Sequence, residues 1–465
     1  MEKISLIEVV DAINGKVVGS SATENLFVEQ VVTDSRTKTS KGLFVAIVGE
    51  NTDGHNYISM AKENGAVAAV ISKELEEYDD NFIYILVENG INALQKLATW
   101  YRKKFNIPVV AVTGSVGKTT TKEMIASVLN VKYNVLKTEG NLNSEIGAPL
   151  TVLNLNKNHE IAVIEMGMDH LGQIYNISKI IKPDTAVISN IGVAHIEYLK
   201  TRENILKAKT EVFDNMDENG VAILNGDDDM LITINNNVKK IWYGYTENSD
   251  VRALDVTVDY TDGVVKTRLL INGNEYYINI PGLSKHLAYA ALSAVAVGLR
   301  YGMDISDIIS GVESYNGIKM RMDVKKLNNG ILVIDDTYNA NPVSMKSLID
   351  TVAASDKTIK TVIMGDMYEL GEETLNGHKS VIEYAINLGI SNIVVIGENM
   401  KVAFCSLTDV DRAKVNLYET KNEFCEVLSK YLVPNSVIAV KASRGMKFEN
   451  IVSKIIELIW LLWYK

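Results

Sequence analysis

The chain is predicted to be an α/β protein of three domains. Short apolar runs each end in a polar or glycine-rich loop, and helically spaced segments separate those runs. The length, 465 residues, exceeds what one ordinary core accommodates. The expected division is a small α/β domain over residues 1–105, a central domain on a mainly parallel sheet over 106–320, and a further α/β domain over 321–465.

Composition narrows the function classes. An apolar share of 47% with 23% charged residues is that of an ordinary globular protein. A net charge of −11 argues against a nucleic-acid surface as the main business. Cys405 and Cys425 are too few for a disulfide scaffold, so a reducing cytoplasm is expected. The N-terminus carries an acid at Glu2 and no long apolar core, which is not a signal-peptide pattern. Residues 455–463 are very apolar but too short for a transmembrane segment. A terminal helix packed on its own domain is expected there, and the protein is expected to be a monomer.

In the first domain, runs at 42–48 and 65–71 read as strands, with polar loops at 33–36 and 53–55. The central domain opens with an apolar strand at 108–112, a glycine loop, and a helically spaced segment at 122–129. Strands at 161–164 and 185–190 then run into polar loops, where ligands collect at the carboxyl ends of a parallel sheet. Residues 250–280 alternate as β sequence with a turn at Asn272-Gly273, a hairpin insertion or an edge of the central sheet. The third domain offers strands at 331–335, 361–364, 392–396 and 436–441. Pro342 suits the first turn of a helix capped by Asn341.

The most specific motif is the loop TGSVGKTT at 113–120. Strand, glycine loop and helix form the context in which backbone N–H groups cradle phosphate oxygens. Gly114, Ser115, Val116, Gly117, Lys118, Thr119 and Thr120 are therefore candidate nucleotide contacts, Lys118 neutralising phosphate charge and Thr119 offering its hydroxyl to Mg²⁺. The spacing is compact: the first glycine of the usual G-x-x-x-x-G-K-[ST] pattern would fall at Val112. Glu165 and His195 each end a strand and are expected to meet above the sheet, Glu165 as a metal-holding carboxylate. Lys209 shares a helical stripe with Ile205, Val212 and Phe213. Such a lysine either snorkels or is chemically used, and on pattern alone snorkelling is the expected reading. Asp336, Tyr338 and Asn339 lie on another strand-to-helix loop, able to read a base and ribose.

Taken together, the loop TGSVGKTTTKE, the segments GNLNSEIGAP at 140–149, EMGM at 165–168, NIGVAHIE at 190–197 and AKTE at 208–211 resemble the Mur ligases of peptidoglycan synthesis. The resemblance implies a P-loop ATPase-like central domain, a Rossmann-like C-terminal domain and an ATP-dependent amide ligase working through an acyl phosphate. DDTYNANPVSM, and GDMYELGEE with His378, resemble the branch that joins D-Ala-D-Ala to UDP-N-acetylmuramoyl-tripeptide. It further implies that Asp34, Ser35 and Arg36 hold the UDP end, that Asn141 and Asn143 line the acceptor peptide, and that Ser443 and Arg444 contact substrate. Arg321, Asp336, Tyr338 and Asn339 would reach ATP. Lys209 would carry a CO₂-derived carbamate that with His195 holds a second Mg²⁺, the first belonging to Thr119 and Glu165.

Two positions depart from the family pattern. Ala290 stands where an asparagine contacting adenine is usual, and Ala442 stands where a glycine is usual. A sister ligase or a folylpolyglutamate-synthase-like enzyme would lack the DDTYNANP and GDMYELG loops. A nucleotide-binding protein without ligase activity is the rival of another class, motivated by these two alanines.

Overall fold

The computed structural model describes residues 1–19, 26–49, 52–193, 196–327 and 330–463. Among them three mixed but mainly parallel sheets are the frame of three α/β layers.

The central sheet is built around Val109–Thr113, an apolar strand with every residue buried. It pairs in parallel with Ile161–Glu165 on one side and Thr185–Ile188 on the other. In this register Glu165 stands beside Val112 and Ile188 beside Thr113, so the loops after all three strands open at one level. Strands buried on both faces read as continuous Val/Ile runs because helices cover both sides. Val221–Asn225, Lys239–Gly244 and Val251–Asp259 continue the sheet in parallel. The β-rich stretch predicted at 250–280 is the sheet's edge: Val264–Ile271 and Asn274–Pro281 add antiparallel strands. Asn272 (φ 49°) and Gly273 (φ 80°) turn between them, the left-handed pair that a tight hairpin needs.

The first domain carries a five-stranded sheet in the order Lys16–Gly19, Ile83–Leu86, Ala66–Ile71, Gly42–Val45, Gln30–Val32. One face covers a core of its own around Phe44, Ile71 and Phe82, while the other is continuous with the central domain. One core runs from Leu6, Leu43, Ile85 and Leu97 into Ala111, Val152, Ile164, Ile177 and Ile205 of the central domain. Helix Gly90–Arg102 lies at the junction, and the buried Tyr101 hydroxyl donates to the Leu155 carbonyl at 2.7 Å while accepting the Glu2 N–H at 2.6 Å.

In the third domain Asp323–Lys326 pairs antiparallel with Leu332–Asp335, followed by the parallel strands Ser436–Lys441, Ile359–Gly365, Asn392–Ile396 and Val415–Tyr418. Asn341 caps helix Pro342–Ala353 as expected, in a reciprocal box with Ser344. The apolar C-terminal stretch forms helix Glu449–Trp463, which buries Ile451, Ile455 and Ile459 against this domain. None of the helices among the described residues is long and apolar enough to cross a membrane. The central hairpin reaches across to this domain: the Tyr260 hydroxyl donates to the Thr351 carbonyl at 3.0 Å, and Lys326 donates to the Thr261 carbonyl at 3.0 Å.

His378, fully buried on helix Thr374–Asn387, holds the loop after Ile359–Gly365. Its Nε2 accepts the Met367 N–H at 2.8 Å, so Nδ1, 2.6 Å from the Thr374 carbonyl, must carry the proton. Burial, which penalises the charged ring, keeps it below its ordinary value of 6.5, with the Thr374 carbonyl and the Asp366 charge offsetting part of that effect. The unfolded chain, with the ordinary value, then binds more protons than the folded one once pH falls through 6.5. Stability from this group is complete above that value and is lost as pH drops toward the depressed one. Denaturation midpoints measured from about pH 7.5 to 5 should fall more steeply for the wild type than for His378→Gln, which is less stable at the upper end.

Candidate active site

Helix Lys118–Leu129 starts at Gly117, which has φ 83° and offers no side-chain cap. The first N–H groups are therefore open, with the positive helix end facing the loop. A Cβ on Gly117 would meet nothing within 4 Å, so the space above it is free for a phosphate. Gly114 is constrained for the opposite reason. Its φ is 146°, and a Cβ there would lie 2.0 Å from the Ser189 hydroxyl.

The loop is held from the adjacent strand. The Asn190 amide accepts the Val116 N–H at 3.0 Å and donates back to the Val116 carbonyl at 2.8 Å. Ser189 donates to the same carbonyl at 2.7 Å, and the Ser115 hydroxyl accepts the Gly192 N–H at 2.9 Å. Asp228 in turn accepts the Ile191 N–H at 2.8 Å. Asn190 was visible in the sequence only as part of a loop, because its role depends on two non-consecutive strands lying side by side.

Two lysines converge on one backbone oxygen. Lys118 Nζ donates to the Gly114 carbonyl at 2.9 Å, and Lys209 Nζ donates to it at 3.0 Å. The two amines thus lie within about 6 Å of each other, where like charges disfavour full protonation. Lys209 is 1% exposed, contrary to the snorkelling expectation from its stripe. Burial first, and the Lys118 charge second, hold Lys209 well below the ordinary lysine value. Burial also lowers Lys118; Glu165 offsets part of that effect and Arg321 adds to it.

Glu165 ends its strand 1% exposed. Asn143 donates to its Oε1 at 2.7 Å, and its own N–H donates to the Thr138 hydroxyl at 2.9 Å. Among the described residues its buried Oε2 has no hydrogen-bond partner. A buried, partnerless carboxylate oxygen beside a phosphate loop suits a hard divalent cation. No cluster of three His, Cys, Asp or Glu side chains able to hold a metal occurs among the described residues. His195 lies outside the described residues.

A cleft of about 820 Å³ joins these groups. Ser115 to Thr120, Asn141, Asn143 and Glu165 line its central wall, and Arg321, Asp336, Tyr338 and Asn339 its third-domain wall. The Arg321 guanidinium lies 4.0 Å from the Tyr338 ring centroid, a cation–π contact. Asp336 faces Lys441, a buried residue overlooked as a site candidate, at 2.5 Å. Ser443 does not line the cleft, but its hydroxyl accepts the N–H of Tyr368, which does. Arg444 sits 5.9 Å from the Tyr338 ring and pairs with Glu449 at 3.1 Å. Asp34, Ser35 and Arg36 are not brought into this cleft. Outside it, in the first domain, Asp34 binds Arg36 at 2.6 Å, which holds the Asp34 carboxyl down at about 2, and Ser35 is buried.

The two unusual alanines differ in consequence. Ala290 lines the cleft beside His286 and Tyr289 and offers no side-chain donor or acceptor there. Ala442 is fully buried in the third-domain core with Phe448. A Cβ on Gly365 would approach the Ala442 methyl to 2.7 Å, so this methyl fills space beside Gly365.

Asn190→Ala removes both bonds to Val116 and should weaken ADP binding about tenfold while leaving the fold intact. Titration calorimetry with a melting control checks this, and unchanged affinity would contradict the clamp.

Three family models match successive parts of the chain. They are described as Mur ligase family, catalytic domain, over residues 27–109; Mur ligase middle domain, over 112–298; and Mur ligase, glutamate ligase domain, over 320–444. The chain is similar to the Bacillus subtilis UDP-N-acetylmuramoyl-tripeptide–D-alanyl-D-alanine ligase, 36% identical over 93% of this chain and 94% of that one. It is also similar to the crystal structure of MurF from Acinetobacter baumannii, with a TM-score of 0.89 at 29% identity over 98% of this chain and 99% of that one. The MurF ligase of Thermotoga maritima, solved in complex with ADP, has a TM-score of 0.83 at 28% identity over 94% and 99%. With these matches along almost its whole length, the chain belongs to the Mur ligase family.

Proposed function

We propose that this protein is an ATP-dependent ligase that joins the amine of D-Ala-D-Ala to the terminal carboxylate of UDP-N-acetylmuramoyl-tripeptide. The observation that carries this reading is the meeting, in one cleft, of Lys118, the partnerless Glu165 oxygen and the third-domain Arg321. Residues 1–105 would hold the UDP end, 106–320 the nucleotide, and 321–465 the incoming dipeptide. Two unpaired thiols suit a cytoplasmic setting, and we read the working form as a monomer.

The chemistry follows from what a carboxylate lacks. It is a poor acyl donor until one oxygen becomes a good leaving group. Transfer of the ATP γ-phosphoryl to that oxygen gives an acyl phosphate and ADP; the dipeptide amine then adds to the carbonyl carbon, and inorganic phosphate leaves. Phosphoryl transfer needs positioning and charge neutralisation more than covalent help. Lys118 and the open helix N-terminus supply positive charge from below, and Arg321 supplies it from the facing wall. Asn143 fixes the rotamer of Glu165 and leaves the other carboxylate oxygen for a cation. Mg²⁺ held by Glu165 and Thr119 would neutralise phosphate charge, and His195 and a carbamate on Lys209 are the candidate ligands for a second ion. Lys209 suits that modification because an amine must be uncharged to take up CO₂, and burial beside Lys118 favours the uncharged form. Asp34, Ser35 and Arg36 remain our candidates for the UDP end.

Incubation with ATP, Mg²⁺, the tripeptide substrate and D-Ala-D-Ala should release phosphate and yield the pentapeptide product by mass spectrometry. Product formed only with glutamate or another amino acid would point to a different ligase, and its complete absence would refute the assignment. Lys209→Ala should lose at least about a hundredfold in kcat and regain part of it with short-chain carboxylates such as acetate. Full activity in that variant would exclude the carbamate role.

A further inference from the structure

We infer that Lys441 is a positioning residue, which acts through Asp336 to hold Arg321 against the phosphate end of the cleft. The inference rests on the ATP-dependent reading above and concerns how the third domain presents its arginine. Arg321 lies in the connection between the central and third domains, flanked by Met320 at φ 64° and Met322 at φ 50°. Two bulky residues in the left-handed region persist only where neighbouring groups hold them.

Both holds come from one loop. Asp336 Oδ1 accepts the Met322 N–H at 3.0 Å, and the Met320 carbonyl accepts the Tyr338 N–H at 3.1 Å. Tyr338 also supplies the ring over which the Arg321 guanidinium lies at 4.0 Å. That loop is pinned by Lys441, 3% exposed at the end of strand Ser436–Lys441. Its ammonium reaches Asp336 Oδ2 at 2.5 Å and the Asn339 carbonyl at 2.8 Å. Asp336 therefore bridges a buried cation to the strained turn, one oxygen to each. A carboxylate placed only to meet a ligand would not need a buried lysine behind it. Without Lys441, Asp336 would be a buried carboxylate short of its counter-ion, and the turn would lose a fixed anchor.

The test is a double-mutant cycle on the full chain with Lys441→Met, Arg321→Ala and the pair. ADP affinity by calorimetry and kcat and KM with the complete substrates are measured, together with the carbon-13 methyl signals of Met320 and Met322 in the unliganded protein. Lys441→Met should cut kcat about tenfold, with a smaller change in KM for the tripeptide substrate, weaken ADP and shift both methyl signals. In the Arg321→Ala background the same substitution should change kcat and ADP affinity less than about twofold, because the residue it acts through is gone. Effects that multiply in the pair, or methyl signals that stay in place, would overturn the inference. A wild type that lacks ligase activity would count against the assigned function, while the methyl signals and ADP cycle would still decide the role of Lys441. If Lys441→Met does not fold, Asp336→Asn with Lys441→Met leaves no buried unpaired charge, and the same coupling to Arg321 is expected of it.

Discussion

The Gly114 carbonyl, approached by both Lys118 and Lys209, is the contact on which the site depends. It lies at the end of the central strand, in a turn only glycine fits, with Ser189 directly above. One of the two amines borders the cleft and the other is sealed beneath it. Two full positive charges around one carbonyl, one of them buried, would repel each other and lack solvation. The arrangement is sustained if Lys209 is uncharged, and in the proposed reading Lys118 is then the cation that would meet phosphate.

The rest of the structure serves this pair. The parallel register brings the Glu165, Thr113 and Ser189 ends level. Asn190 and Ser189 hold the loop at Val116, and Asp228 holds the segment leading from Asn190. The facing wall adds the opposite half of the charge pattern through Arg321, reached by a strained connection. The first and central domains share one core, whereas the third domain meets the central one through the hairpin tip, Leu283 and the cleft walls. This division suits an enzyme whose third domain must admit and release substrates.

Much of this was legible in the sequence, for local reasons. A strand, a glycine loop and Lys-Thr-Thr at a helix start are consecutive, so the phosphate loop could be read despite Val112 in place of the first glycine. Asn341 with Pro342, and Asn272 with Gly273, announced a helix start and a hairpin turn through backbone chemistry alone. What depended on distant pairing was hidden. The stripe carrying Lys209 is the same whether the amine reaches water or a buried carbonyl, and only tertiary packing decides. Asn190 and Lys441 act across strands that are neighbours in the sheet but far apart in the chain. The direction of the Ala442 methyl, toward Gly365, likewise needed the packed third domain.

The most direct test of the central claim is carbon-13 NMR of the protein equilibrated with labelled carbon dioxide near neutral pH. An uncharged Lys209 amine beside Lys118 should give a carbamate signal that Lys209→Arg abolishes and that protonation at lower pH removes. A wild type without such a signal, or a signal that persists in Lys209→Arg, would contradict the account.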